Sequence, residues 1–298
     1  MRKLEYTFKT DTLFKMLFVG HQDLLQKLVA ALMGIPAESI TQLDVQNEAM
    51  QPEHLGEKFC RLDINMIVNG QRVDLEVQVC NEGDYIERVM FYWAKEFASA
   101  LPSGSKYADL PRTMILSILD FSLFTDCEAY HSFFQPLEVT RHTLMSDKMG
   151  FHFFELPKLP EEISDKDDLL LWLALFNANT EEELEQIKAL EVPEMEQAIN
   201  AYYSITASPE FRELERIREK ARHDEAQALY HAQMVGRAEG RAEGRAEGRA
   251  EGEEKTLLEA IRNLMDNLNL PIEQAMAVLK IPFAEQSKYR ELLQGQQS

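Results

Sequence analysis

Asp63 and Glu76 are the two side chains in this sequence best placed to act together. Between them lies Asn69-Gly70, the dipeptide that most strongly signals a two-residue hairpin turn. Folding Phe59 to Val68 onto Gln71 to Cys80 about that turn sets Val68 opposite Gln71, Met66 opposite Val73 and Ile64 opposite Leu75, an apolar face. The other face then carries Arg61 opposite Gln78, Asn65 opposite Asp74, and Asp63 opposite Glu76. Like charges so placed, their Cβ atoms roughly 4.5 to 5.5 Å apart, destabilise a sheet unless something cationic lies between them. A hard divalent cation held by the two carboxylates accounts for the arrangement. So does a solvated polar face on which Arg61 softens the acidic pair, and the hairpin alone leaves both readings open.

The flanking segments show what must position the pair. Leu13, Phe14, Leu17 and Phe18 form one helical stripe, Asp23 to Met33 repeats the pattern, and Gly34 supplies a C-terminal stop. After the hairpin, Asp84 to Leu101 is expected to be a helix with Ile86, Val89, Met90, Trp93 and Phe97 inward. Thr113 to Phe121 is a β-rich apolar run suited to a central strand, and Thr140 to Met145 and Phe151 to Leu156 are expected to be short strands. Helices, a meander, a helix and a strand imply an α/β core on a mixed sheet flanked by helices, over residues 1–160.

The order Asp63, then Glu76-Val77-Gln78, follows the D…(D/E)xK pattern of the PD-(D/E)XK nucleases, with Gln where that pattern has Lys. Together with Thr10 to Phe18, Arg88 and Tyr92, and the Ile-Leu-Ser-Ile-Leu-Asp core of Pro111 to Phe124, the sequence resembles the Rpn family of recombination-promoting nucleases and transposases. The resemblance implies a PD-(D/E)XK nuclease fold and a Mg²⁺-dependent DNA endonuclease that assists recombination of incoming or mobile DNA. It implies Asp63 and Glu76 as metal ligands, the Val77 carbonyl as a further one, and Gln78 at the lysine position.

Gln cannot act as a general base and brings no positive charge. Either a metal-bound hydroxide attacks with Gln78 only orienting it, or the site binds DNA and cuts it feebly. The second option is the rival reading, a DNA-binding or assembly protein on a nuclease scaffold. An RNA-directed nuclease is a third reading, but no aromatic platform for RNA is evident. Asp11 matches the acidic residue that the first helix contributes in the superfamily, although acids are common in first helical turns, and Glu48 competes with it for that role. Lys15 is a candidate to restore the missing cation and Arg88 a candidate phosphate contact, so both are assigned to DNA.

Composition bounds these readings. The net charge of −20 disfavours nucleic acid until it is divided along the chain: residues 1–110 carry 11 basic and 16 acidic groups, residues 111–235 carry 11 and 24. Most of the acid therefore lies outside the hairpin region. Cys60, Cys80 and Cys127 lack CxxC spacing, and the histidines, His54 among them, show no metal spacing. No apolar run is long enough to span a bilayer and no secretory signal is evident, so a cytoplasmic location is expected.

Residues 161–235 are expected to form an acidic helical extension, with a capping box at Thr180 and Glu183. Residues 236–252 repeat Gly-Arg-Ala-Glu four times, and residues 253–298 suggest a small helical module with Pro271 at a helix N1 position. On a helix the repeat puts like charges four apart and a glycine in every turn, so an isolated helix there is expected to be marginal. The repeat serves either as a spacer or as a seam for a homo-oligomer.

Overall fold

The structure, a computed structural model, describes residues 2–46, 61–101, 104–163 and 166–295, the side chains at 61–63 and 294–295 excepted. In chain order the first elements are α1 (Asp11–Gly20), α2 (Gln22–Met33), β1 (Leu43–Val45), β2 (Arg61–Val68), β3 (Gln71–Gln78) and α3 (Tyr85–Ser99). There follow β4 (Thr113–Leu119), β5 (His131–Phe134), β6 (Met149–Glu155), α4 (Asp168–Asn177), α5 (Glu181–Lys188), α6 (Pro193–Ala207) and α7 (Pro209–Leu268). The last are α8 (Ile272–Val278) and α9 (Phe283–Gly295).

The strands form one mixed sheet in the order β1-β2-β3-β4-β6-β5, with β3 to β4 and β4 to β6 parallel and the other pairs antiparallel. Strand alternation gives this sheet two unlike faces. Ile64, Met66, Val68, Val73, Leu75 and Val77 turn to one side and share a core with the apolar stripes of α1, α2, α4 and α6. The acidic segment 161–207 therefore packs, through α4 to α6, into the same core as the N-terminal helices. Its capping box forms as expected: Thr180 Oγ1 accepts from the Glu183 backbone N–H while Glu183 Oε2 accepts from that of Thr180.

The second face is covered by α3, the crossover helix between two parallel strands. There Tyr85 and Val89 pack on Ile115, Leu119, Phe151 and Phe153. The expected inward stripe is shifted: Ile86 and Met90 are exposed, and the buried row runs through Tyr85 and Val89 toward Trp93, whose indole N–H donates to the Thr113 carbonyl. The i, i+4 row that meets the sheet begins one residue earlier than hydrophobicity alone suggests.

Thr140 to Met145 is not a strand. His142 has a positive φ of 55° and the Arg141 backbone N–H donates to the Glu138 carboxylate, so the segment closes a tight turn with a single bridge between Leu137 and Leu144. The edge strand is β5 instead.

The chain divides into two packed units, Met1–Lys220 and Ala221–Ser298. In the second, Leu258, Ile261, Ala275, Met276, Ile281, Tyr289 and Leu293 form a separate small core between the end of α7, α8 and α9. Pro271 is the N-cap of α8 rather than its first helical residue. Lys288 and Arg290 of α9 pair with Glu254 and Glu273. The Gly-Arg-Ala-Glu repeats are helical within α7. A helix already nucleated by flanking residues needs only propagation, and Ala, Arg and Glu are strong enough formers to offset the glycines. No helix among the described residues is long and apolar enough to cross a membrane.

Candidate active site

The β2–β3 hairpin closes through Asn69 and Gly70, with φ of 48° and 77°, the two positive values a type I′ turn requires. Asn69 is held there by its own amide: Oδ1 accepts from the backbone N–H groups of Thr41 and Gln42, and Nδ2 donates to the Ser39 carbonyl. The turn fixes the register, which pairs Asp63 with Glu76, Asn65 with Asp74 and Arg61 with Gln78. Counted from the hydrogen-bonded pair next to the turn, Asp63 and Glu76 are a non-hydrogen-bonded pair, the class in which Cα atoms approach to roughly 4.5 Å. The side chain of Asp63 and all of Glu48, His54 and Cys60 lie outside the described residues.

On β3 the polar face is buried. Asp74, Glu76 and Gln78 are 3%, 1% and 0% exposed, which removes water as the solvent of these groups. A buried carboxylate needs hydrogen bonds or a cation. The Tyr85 hydroxyl, from the first residue of α3, donates to Glu76 Oε2 at 3.2 Å. Ser117, buried on β4, is the register partner of Glu76 on its other side. Burial, reinforced by the Glu76 charge, raises the Tyr85 pKa well above the ordinary phenol value, so Tyr85 remains a donor.

Gln78 ends β3. Its Nε2 donates to the Cys80 carbonyl at 2.9 Å, and its Oε1 makes no hydrogen bond among the described residues. The Asp120 backbone N–H donates to the Gln78 carbonyl at 2.9 Å, and Asp120 Oδ1 receives the nearly buried Lys9 ammonium at 2.9 Å. Val77 turns its side chain into the opposite core. Its backbone is paired with Leu62, and a carbonyl in a ladder keeps a second lone pair.

Arg88 sits one turn after Tyr85 on α3, its guanidinium 5.1 Å from the Tyr85 ring centroid. Nη1 pairs with Glu82 at 3.2 Å, while Nε and Nη2 are buried and make no hydrogen bond among the described residues. Lys15 is 3.2 Å from Asp11, one turn earlier on α1, and Asp11 is also paired with Arg218 of α7. These contacts engage Asp11 and Lys15 with each other and with the start of α7, where Thr12 also donates to Glu215. Tyr92 touches Phe91, with ring centroids 5.7 Å apart.

The family model of the PD-(D/E)XK nuclease family transposases matches residues 8–232. The chain belongs to that family. No curated protein and no solved structure matches it. The match takes in the whole sheet and runs through α6 into α7, so α4, α5, α6 and the start of α7 lie inside the family's span. Membership makes the chain a member of a nuclease family, with DNA as the implied substrate and divalent metal ions as the usual cofactor.

The residues present fit a hard divalent cation. Glu76 supplies a carboxylate oxygen in a water-poor site, and Gln78 Oε1 is an orphaned buried oxygen, the donor type such a cation takes. Among the described residues no group of three His, Cys, Asp or Glu side chains is assembled to hold a metal ion, a set that does not include the Asp63 side chain. Sequence reasoning missed Tyr85, Ser117 and the Lys9–Asp120 pair. The one signal for Tyr85 was its place at the N-terminus of a helix that follows the acidic strand.

Proposed function

We propose that this chain is a Mg²⁺-dependent DNA endonuclease that acts in the cytoplasm and promotes recombination or transfer of mobile DNA. The observation that carries this reading is Glu76, fully buried, held by a neutral donor and in register with Asp63 within a chain of a nuclease family. Asp63, Glu76 and the Val77 carbonyl would hold the cation. A bound Mg²⁺ supplies Lewis-acid activation of the phosphate and a more acidic water.

The protein's own residues do the rest. Gln78 Oε1 accepts a hydrogen bond from the attacking water and orients it, with Nε2 donating to the Cys80 carbonyl. Arg88 directs to a phosphate oxygen the N–H groups that make no hydrogen bond among the described residues, as a planar guanidinium suits. Asp11 and Lys15, engaged with each other and with Arg218, are assigned to packing α1 against α7. The C-terminal unit and the repeats are assigned to assembly of a homo-oligomer or to spacing.

The second reading is a scaffold that binds DNA with little cleavage, favoured by the neutral amide of Gln78 where the family pattern has a cation. The test is supercoiled plasmid incubated with the purified protein and Mg²⁺, with and without EDTA. Nicking that needs Mg²⁺ supports the enzyme; DNA binding without nicking in any divalent metal supports the scaffold.

A further inference from the structure

Ile86, Met90 and Phe91 stand on the solvent side of α3, 41%, 50% and 66% exposed. Scattered surface hydrophobics need no explanation. Phe91 differs in its company: Arg88 lies three residues before it and the exposed Lys95 four residues after, the spacing of one helical stripe. Tyr92 meets the Phe91 ring at 70° with 5.7 Å between centroids, so the ring is braced from one side while most of the residue stays in solvent.

The stripe begins beside the candidate site. Arg88 is one turn beyond Tyr85, whose ring its guanidinium covers and whose hydroxyl reaches Glu76. The exposed Glu87, one turn before Phe91, lies on the other side of the ring from Arg88 and Lys95. A phosphate is therefore favoured on one flank of Phe91 and not on the other.

A cation, aromatic, cation stripe fits a nucleic-acid strand, with phosphates on the charges and a base on the ring. A protein docking on Phe91 would have to pair or desolvate Arg88 and Lys95, whereas a nucleic acid brings its own anions. In a continuous duplex the base faces are covered by their neighbours and only edges are open in the grooves. An exposed phenylalanine adds most where a base is out of the stack.

Resting on the nuclease reading above, we infer that Phe91 is a base-stacking residue and that the substrate is DNA with unpaired bases, a single strand or a locally opened duplex. Lys95 holds a phosphate of the same strand. Negative supercoiling favours such opening, so a supercoiled plasmid presents it.

The test uses the full-length protein and a fluorescently labelled DNA strand of mixed sequence, alone and annealed to its complement. Anisotropy in EDTA reads binding, and gels after incubation with Mg²⁺ read cleavage. Wild type should bind the strand about tenfold tighter than the duplex, and Phe91→Ala should lose about tenfold on the strand with duplex binding nearly unchanged. Phe91→Trp keeps a π-face and should bind as wild type does. Lys95→Ala should lower the slope of log affinity against log salt by about 0.7, while Phe91→Ala leaves the slope unchanged. None of these exposed changes should move the melting temperature.

The inference is overturned if wild type binds duplex as tightly as the strand, if Phe91→Ala binds the strand like wild type, or if Phe91→Trp loses as much as Phe91→Ala. A fall in light-scattering mass in Phe91→Ala with DNA affinity kept would give this face to a second copy of the chain, and tighter binding of an RNA strand of the same sequence would give it to RNA; either result overturns the assignment. If wild type neither binds nor cuts any of these DNAs, the nuclease reading falls, and this inference with it; cleavage of duplex with unaltered Phe91→Ala removes the inference alone.

Discussion

Gln78 binds the Cys80 carbonyl two residues ahead through its own side-chain N–H at 2.9 Å, and its amide oxygen makes no hydrogen bond among the described residues. That geometry suits a residue that orients water. Gln78→Ala should lower the cleavage rate on the order of a hundredfold, the range for loss of a positioned polar group. Gln78→Lys keeps a donor for Cys80 and adds a cation, and should retain or raise the rate. Complete loss in a folded Lys variant would mean the pocket is built around a neutral amide.

Asp11 is expected to matter for stability. Its bonds to Lys15 and Arg218 join α1 to the start of α7. Asp11→Asn and Arg218→Ala should each cost about 1 kcal/mol, the upper end for a partly exposed pair, measured by urea unfolding. Plasmid nicking should stay within a few-fold of wild type. A large loss of nicking in Asp11→Asn, recovered by raising Mg²⁺, would instead make Asp11 a ligand.

How much of this was legible in the sequence depends on the range of the interaction. The Asp63 to Glu76 register was readable because Asn69-Gly70 fixes the loop length and strand side chains alternate with period two. The capping box at Thr180 was readable for the same reason, since three residues decide it. The burial of the acidic face was not. It depends on which row of α3 meets the sheet, and hydrophobicity favoured Ile86 and Met90 over a row led by a tyrosine. Lys9 with Asp120, Thr12 with Glu215 and Asp11 with Arg218 join residues far apart in the chain, and no local pattern reports them.

Two histidines at the sheet edge should make stability depend on pH. His131 Nε2 and His152 Nδ1 are 3.0 Å apart on β5 and β6. Burial, then the neighbouring His131 and Arg112, lowers the His152 pKa to about 4, and burial lowers that of His131. In the unfolded chain both take up protons near pH 6.5, while the fold keeps them neutral. Their contribution is therefore present above about pH 6.5 and is lost as pH falls toward 4. The melting temperature should drop across that window. The drop should be smaller in His152→Phe, which keeps an aromatic ring beside Phe133 and Phe154.

The repeats should contribute little to chemistry. Arg237, Arg241, Arg245 and Arg249 are balanced by Glu239, Glu243, Glu247 and Glu251, so the segment offers neither a net basic surface nor a ligand cluster. Removing residues 236–252 should leave Mg²⁺-dependent nicking largely intact in dilute solution. Light scattering on the same protein reads the other role: a fall in mass shows that the repeats join copies of the chain, and an unchanged mass shows a spacer.

The most direct measurement is Asp63→Ala on supercoiled plasmid, with thermal unfolding of the same protein in EDTA and in Mg²⁺. Because Asp63 stands in register with Glu76, removing one of two like charges should leave the metal-free melting temperature equal or slightly higher. Mg²⁺ should no longer raise it, and nicking should be abolished. Full nicking by a folded Asp63→Ala protein, or undiminished protection by Mg²⁺, would contradict the assignment of this hairpin as the metal-binding centre of a nuclease.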